Sequence, residues 1–287
     1  MKSFNSSDAF GDRFAGLDIL RVLAMVLITA QHGLAAVGRS GWVQFRGVDA
    51  GQIGVGIFCA VSGLLAMHDR RAPAGWLWKR LCRLFPPYWL AMLFAFAVTA
   101  ISGRKTFDFG QFVSQMLGLG YFTHGWFLVN QVTWFISLIL LCYALAFLAK
   151  LARRPGMVMI LIAMITLALV LTGTEVDLSQ HILSFSLAAA GMHLMRSFRR
   201  LFFAGFACIL FLLVLKTRFT AFAAISLLLM ALLYTAPWGG MTFFRIVGGG
   251  LYEYFLVHGI FFAGAGEFIG NPVLAVICGL AGSVAGA

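Results

Sequence analysis

Apolar residues run along this chain in long unbroken stretches, separated by short polar or basic ones. The stretches do not alternate with period two, so they do not read as barrel strands. Lipid offers no partners to an unpaired backbone group, which leaves helices or closed barrels as the structures able to cross it. Runs of this kind predict helices. A span needs about 20 apolar residues, within a range of roughly 17–25. That measure places spans near 17–37, 52–68, 84–101, 133–149, 157–173, 181–195, 200–215, 219–236, 248–265 and 272–286. A weaker, aromatic stretch over 111–128 reads as a re-entrant or interfacial segment. The predicted fold is all-α: a polytopic membrane bundle of about ten transmembrane helices, forming one integral membrane domain over residues 1–287.

Composition agrees with the pattern. Hydrophobic residues make up 61% of the chain and charged residues 11%, against about 45–50% and about 25% for a soluble domain. Lys2 and Arg13 precede the first apolar run, which is how a signal peptide begins. However, Asp18 and Arg21 sit at the mouth of that run and many further spans follow, so it reads as a retained first helix. The five cysteines are scattered, mostly inside apolar runs, and read as small core residues with no metal or disulfide framework.

The charge changes the picture in a different way. A formal net charge of +11 on a soluble protein points to nucleic acid. Here the basic residues form short clusters between apolar runs, so they report topology and no nucleic-acid partner is expected. With a cytoplasmic N-terminus, 14 of the 21 Lys and Arg residues fall on the cytoplasmic side, six on the other, and Arg21 lies in the first span. This predicts an N-in, C-in orientation, with the Lys216/Arg218 turn on the minority side. Trp76, Trp78, Tyr88, Trp89, Trp126, Trp134 and Trp238 stand near span ends and read as an interfacial aromatic belt. No internal repeat is evident, unlike in many secondary transporters.

Ionisable residues within apolar runs are expensive, so each is a functional candidate. In GLDILRVLAMVLITAQHG, Arg21 and His32 are eleven residues apart. Three helical turns and about 20° separate them, so they share a face at roughly 16 Å along the axis. The competing reading pairs Arg21 with Asp18 and makes His32 an interhelical hydrogen bonder. In GQIGVGIFCAVSGLLAM, Gly51, Gly54, Gly56 and Gly63 allow close helix approach. The Gly-x-Gly there follows no strand and is not a nucleotide loop. Ser62 in the same run is a weaker candidate, better read as a packing hydroxyl. In RRAPAGWLWKRLCRLFPPYW, Arg80 and Arg83 are neighbours on one helix face, with Lys79 adjacent. Pro86 and Pro87 are expected to break that segment and start the next span. A guanidinium pair suits phosphates, although a topological cluster explains the charge equally well. In LYEYFLVHGIFF, Glu253 and His258 are five apart and do not share a face.

Taken in order, these segments resemble the acyltransferase-3 family of bacterial membrane proteins. GLDILRVLAMVLITAQHG is similar to the family's opening helix, with an Arg and a later His. IGVGIFCAVSGLL is similar to its second-helix pattern ending in Ser-Gly. WKRLCRLFPPYW is similar to its Arg-x-x-Arg loop leading to Pro and Tyr, the Tyr here being Tyr88. YEYFLVHGIFF is similar to its late Tyr…His helix. The chain departs at WFISLILLCY, where Ile139 and Leu140 stand at positions at which many members carry a Glu.

The resemblance implies ten spans in a bacterial inner membrane. It also implies an acyl-CoA donor, acetyl-CoA first, used on the cytoplasmic side without a metal. The implied acceptor is a hydroxyl of a sugar, a lipid-linked saccharide or another cell-surface polysaccharide precursor. Carried over by position, His32 is the catalytic His, Arg21 the first-helix Arg, and Arg80 and Arg83 the loop pair that holds the donor. Ser62, Tyr88, Glu253 and His258 remain further candidates. The rival class is a transporter or flippase of an anionic or polar solute, which would use the same intramembrane Arg and His as a path.

Overall fold

The computed structural model describes residues 15–45, 48–103, 108–172, 178–193, 196–214, 220–233, 251–256, 258 and 261. Ten helices dominate them. These are α1 (Ala15–Ala36), α2 (Ala50–His68), α3 (Pro73–Ser102), α4 (Phe109–Met116), α5 (Gly120–His124), α6 (Trp134–Leu151), α7 (Pro155–Thr172), α8 (Ser179–Gly191), α9 (Arg196–Leu213) and α10 (Thr220–Leu233). Residues 251–256 are also helical. A two-residue antiparallel ladder joins β1 (Gln44–Phe45) to β2 (Val48–Asp49), with Gln44 opposite Asp49 and Phe45 opposite Val48.

Among the described residues, five stretches are long and apolar enough to cross a membrane: Gly16–Ala36, Ala50–His68, Pro73–Ile101, Gln131–Leu151 and Pro155–Thr172. The chain is an integral membrane protein. The other expected spans take different forms. The span expected at 181–195 is α8, of 13 residues, or about 20 Å of helix. Every residue of α8 except Ile182 is buried, and an apolar run of that length is typical of an internal core helix. The span expected at 219–236 is α10, of 14 residues. The one expected at 200–215 begins four residues earlier, at Arg196, and carries three arginines in its first turns. The expected span 272–286 lies outside the described residues.

The chain forms two compact units. The first comprises Met1–Ala30, Val43–Asp69 and Ala152–Leu251. Its core joins Leu20 and Ala24 of α1, Ile57 and Leu64 of α2, Leu187 of α8, Phe203 of α9 and Leu227 of α10. Lipid is as apolar as leucine, so helices in it associate through close packing, and small residues permit the closest approach. The α2 glycines do this. A Cβ at Gly54 would lie 2.5 Å from the Ala24 carbonyl oxygen, and one at Gly56 would lie 2.7 Å from the Ser226 hydroxyl. A Cβ at Gly63 would overlap the Phe185 carbonyl.

The second unit comprises Gln31–Trp42, Arg70–Leu151 and Tyr252–Ala287. Its longest element is α3, with Pro73 at its first position and Gly103 closing it at φ +64°. Gly103 thereby supplies the left-handed residue that commonly ends a helix. Pro86 and Pro87 do not break this segment as the sequence suggested. They lie inside one continuous 30-residue helix, so Arg80 and Arg83 belong to its body and not to a loop. Each proline removes one backbone hydrogen bond, and spanning helices tolerate this where neighbouring groups compensate. The carbonyls left without an N–H partner are those of Cys82 and Arg83; the Tyr252 hydroxyl meets the adjacent one, donating to the Leu84 carbonyl at 2.8 Å.

The aromatic stretch near 111–128 folds as two short helices, α4 and α5, joined by a turn. Asp108 caps α4 reciprocally with Gln111: the Gln111 N–H donates to the Asp108 carboxylate at 2.7 Å, and the Asp108 N–H donates to the Gln111 side chain. The predicted aromatic belt holds only in part. Trp78, Trp89 and Trp126 are exposed, whereas Trp76, Tyr88 and Trp134 are buried. The buried three are packing and hydrogen-bonding groups instead, and Trp238 lies outside the described residues. Cysteine divides likewise: Cys59 and Cys142 are buried, while Cys82 and Cys208 are exposed and so are not core residues.

Candidate functional site

Among the described residues, the first unit holds three sequence-derived positions. Arg21 and Asp18, one helical turn apart on α1, form an ion pair at 2.7 Å. Ser62 is half-buried on α2. The third is the glycine seam of α2, which packs against neighbouring backbone and side chains at Gly54, Gly56 and Gly63. Sequence reasoning overlooked a part-buried pair in this unit: Nε2 of the buried His181 lies 2.8 Å from Gln52 Oε1. A His inside an expected span was its visible signal.

The remaining candidates fall in the second unit. His32 is half-buried near the end of α1. Its ring meets that of His258 edge-on, with centroids 5.1 Å apart and planes at 66°. His258 is fully buried, and its Nδ1 lies 2.6 Å from the Phe255 carbonyl oxygen. Tyr254 stacks on His258 at 5.7 Å with planes 5° apart. Tyr254 and His258 are four residues apart, so a helical backbone places one above the other. Glu253 points elsewhere, as its five-residue offset implies, and its Oε2 is buried with no hydrogen-bond partner among the described residues.

The segment that carries these groups is pinned from two directions. Tyr252 bonds to Leu84 of α3. Asn130, buried just before α6, donates to the Leu256 carbonyl at 2.9 Å. Phe135 packs on Phe255 at 5.0 Å. Asn130 and Tyr252 were not singled out from sequence. Each is an ordinary polar residue beside an apolar run, and only its long-range partner distinguishes it.

On α3, Arg80 is half-buried and Arg83 exposed. Trp76, one turn before Arg80, is buried and packs against Tyr143 at 5.7 Å. The Lys150 ammonium lies 5.3 Å from the centre of the Trp76 ring. Lys150 of α6 thus lies over the buried indole of the helix that carries Arg80 and Arg83. Neither α3 nor α6 contains an acidic residue, so an anion at this end of α3 meets no opposing carboxylate from either helix. Tyr88 is buried, and its hydroxyl donates to the Gln115 carbonyl, which gives it a bracing role between α3 and α4. Ile139 is buried and Leu140 half-buried on α6, both among apolar neighbours.

The second unit thus joins a buried imidazole contact to a basic stretch of α3 through the Tyr252–Leu84 bond. Chemically, it offers a base within a water-poor surrounding and cations for a phosphate-bearing reactant. A family model described as an acyltransferase domain matches residues 14–287. No curated protein matches the chain, and no solved structure does.

Proposed function

This chain belongs to the acyltransferase-3 family of membrane acyltransferases, and on that premise we propose that it moves an acyl group, acetyl first, from acyl-CoA to a hydroxyl of a sugar or cell-surface polysaccharide precursor. The reading places it in a bacterial inner membrane as a multi-pass protein with about ten spans, both termini cytoplasmic and a lipid-linked saccharide among its acceptors. The observation that carries it is the pairing, within one unit, of His32 in contact with His258 and of Arg80 with Arg83 on α3.

The donor's phosphates lie against Arg80 and Arg83, where planar guanidinium groups give paired, charge-assisted hydrogen bonds. His32 acts as the base. It takes the proton of the acceptor hydroxyl as that oxygen attacks the thioester carbonyl carbon. The carbon–sulfur bond then breaks, and the imidazolium returns its proton to the departing thiolate, so no net proton is gained or lost. General base assistance of this kind contributes about 10²–10⁴ in rate.

The testing experiment is thermal stabilisation of the purified protein by acetyl-CoA, set against free CoA and ATP, in wild type and in Arg83→Ala. A ligand at about 100 times its dissociation constant stabilises by about 2.7 kcal/mol. The expected result is a shift with acetyl-CoA in wild type that is lost in the variant. No shift at saturating donor would overturn the acyl-CoA reading and favour passage of an anionic solute.

A further inference from the structure

His258 is held more firmly than packing requires. Its Nδ1 faces the Phe255 carbonyl at 2.6 Å. A carbonyl only accepts, so Nδ1 carries the hydrogen, and in the neutral ring Nε2 is the nitrogen with the lone pair. Tyr254 covers one side of the ring in parallel, Phe255 leans on it at 5.5 Å and 49°, and His32 meets it edge-on at 5.1 Å. The supporting segment is itself fixed through Tyr252 to Leu84 and through Asn130 to Leu256. Tautomer, ring plane and backbone are all set from outside the residue. A phenylalanine would satisfy the packing alone. What an imidazole adds here is a fixed dipole beside another imidazole.

We propose that His258 is a positioning residue for His32. It holds the plane of the His32 ring and faces the positive charge that His32 carries once it has taken the acceptor's proton. His258 itself neither gains nor loses a proton: the hydroxyl proton goes to His32 and then to the thiolate sulfur. The contact therefore strengthens between the ground state and the transition state, when the neighbouring ring becomes a cation. An interaction made only in the transition state lowers kcat and kcat/KM together when it is removed. The proposal rests on the reading of His32 as the base.

The experiment compares wild type, His32→Ala, His258→Phe and His258→Gln in acetyl-CoA turnover, with acetyl-CoA thermal shifts as the folding and donor-binding control. In His258→Phe, kcat should fall about 10–100-fold, the range typical for loss of an orienting partner, with the donor KM and thermal shift unchanged. His258→Gln, which retains a polar group near the Nε2 position, should regain part of the loss. A kcat for His258→Phe within about twofold of wild type, beside an inactive His32→Ala, would overturn this proposal and leave the function standing. Absence of acetyl-CoA turnover in wild type, or an active His32→Ala, would instead overturn the underlying reading. If His258→Phe fails to fold, Tyr254→Leu decides: a selective fall in kcat supports the proposal, and an unchanged kcat overturns it.

Discussion

The two units are built from similarly apolar helices, yet their polar side chains differ in how far they mostly reach. In the first, the buried hydroxyls bond back to their own helices. Ser184 donates to Gln180, Ser186 to Ile182, Ser226 to Phe222 and Thr166 to Ile162, each to the carbonyl four residues earlier. In the second, polar side chains reach between elements. Ser137 donates to Gly118 at 2.6 Å, Trp89 to Met116 at 2.9 Å, Asn130 to Leu256 and Tyr252 to Leu84. The reason lies in the backbone. The first unit's helices satisfy their own backbone groups, so its polar side chains have nothing distant to satisfy and the helices close by shape. The second unit contains turns between α4, α5 and α6, which leave carbonyl groups for side chains to meet. Those cross-links fix side chains in space, as a preorganised site requires. The His181–Gln52 pair and the Arg199 donation to the Met192 carbonyl are exceptions in the first unit, and Thr99 and Ser114, which bond within their own helices, are exceptions in the second.

The comparison can be broken most sharply at His32. His32→Ala should lower turnover by about 10²–10⁴ while preserving the acetyl-CoA thermal shift. Near-normal turnover would remove the second unit's claim to the chemistry. A smaller effect is expected from Gly63→Ala, whose Cβ would meet the Phe185 backbone. Backbone cannot swing aside as a side chain can, and overpacking of this kind costs about 1–3 kcal/mol. The melting temperature should fall, with the donor KM of the remaining folded protein unchanged. A melting temperature at or above wild type would show that the first unit is not held by close glycine packing. The smallest effect belongs to Ser62→Ala. It should change stability by no more than about 0.5 kcal/mol, as exposed or half-buried substitutions away from special features do, and leave turnover alone. A large loss of turnover would return the first unit to the chemistry.

Much of this was legible in the sequence because lipid imposes a one-dimensional rule. Run length marks α1, α2, α6 and α7 almost to their ends, and an Arg or His within a run stands out without any knowledge of its neighbours. The extent of α3 is not legible in the sequence because Pro86 and Pro87 look like local breakers, whereas the helix runs on through both and is held by a residue far off in the chain: Tyr252, which bonds to Leu84, is 168 residues away. Trp76 and Tyr88 were misread as belt residues because amphipathic aromatics look alike at an interface and in a core. Trp76 packs on Tyr143, and Tyr88 bonds to Gln115, and neither partner can be read from local composition.

By itself, then, the sequence determined the helical class, membrane residence and the residue types able to do acid–base and phosphate chemistry, since these follow from backbone satisfaction and the cost of charge in lipid. Only the tertiary structure decided that His32 meets His258, and that Asn130, in the irregular backbone just before α6, supports the segment bearing His258. Those outcomes depend on contacts between residues far apart in the chain, and no local pattern encodes which distant carbonyl or ring a side chain will find.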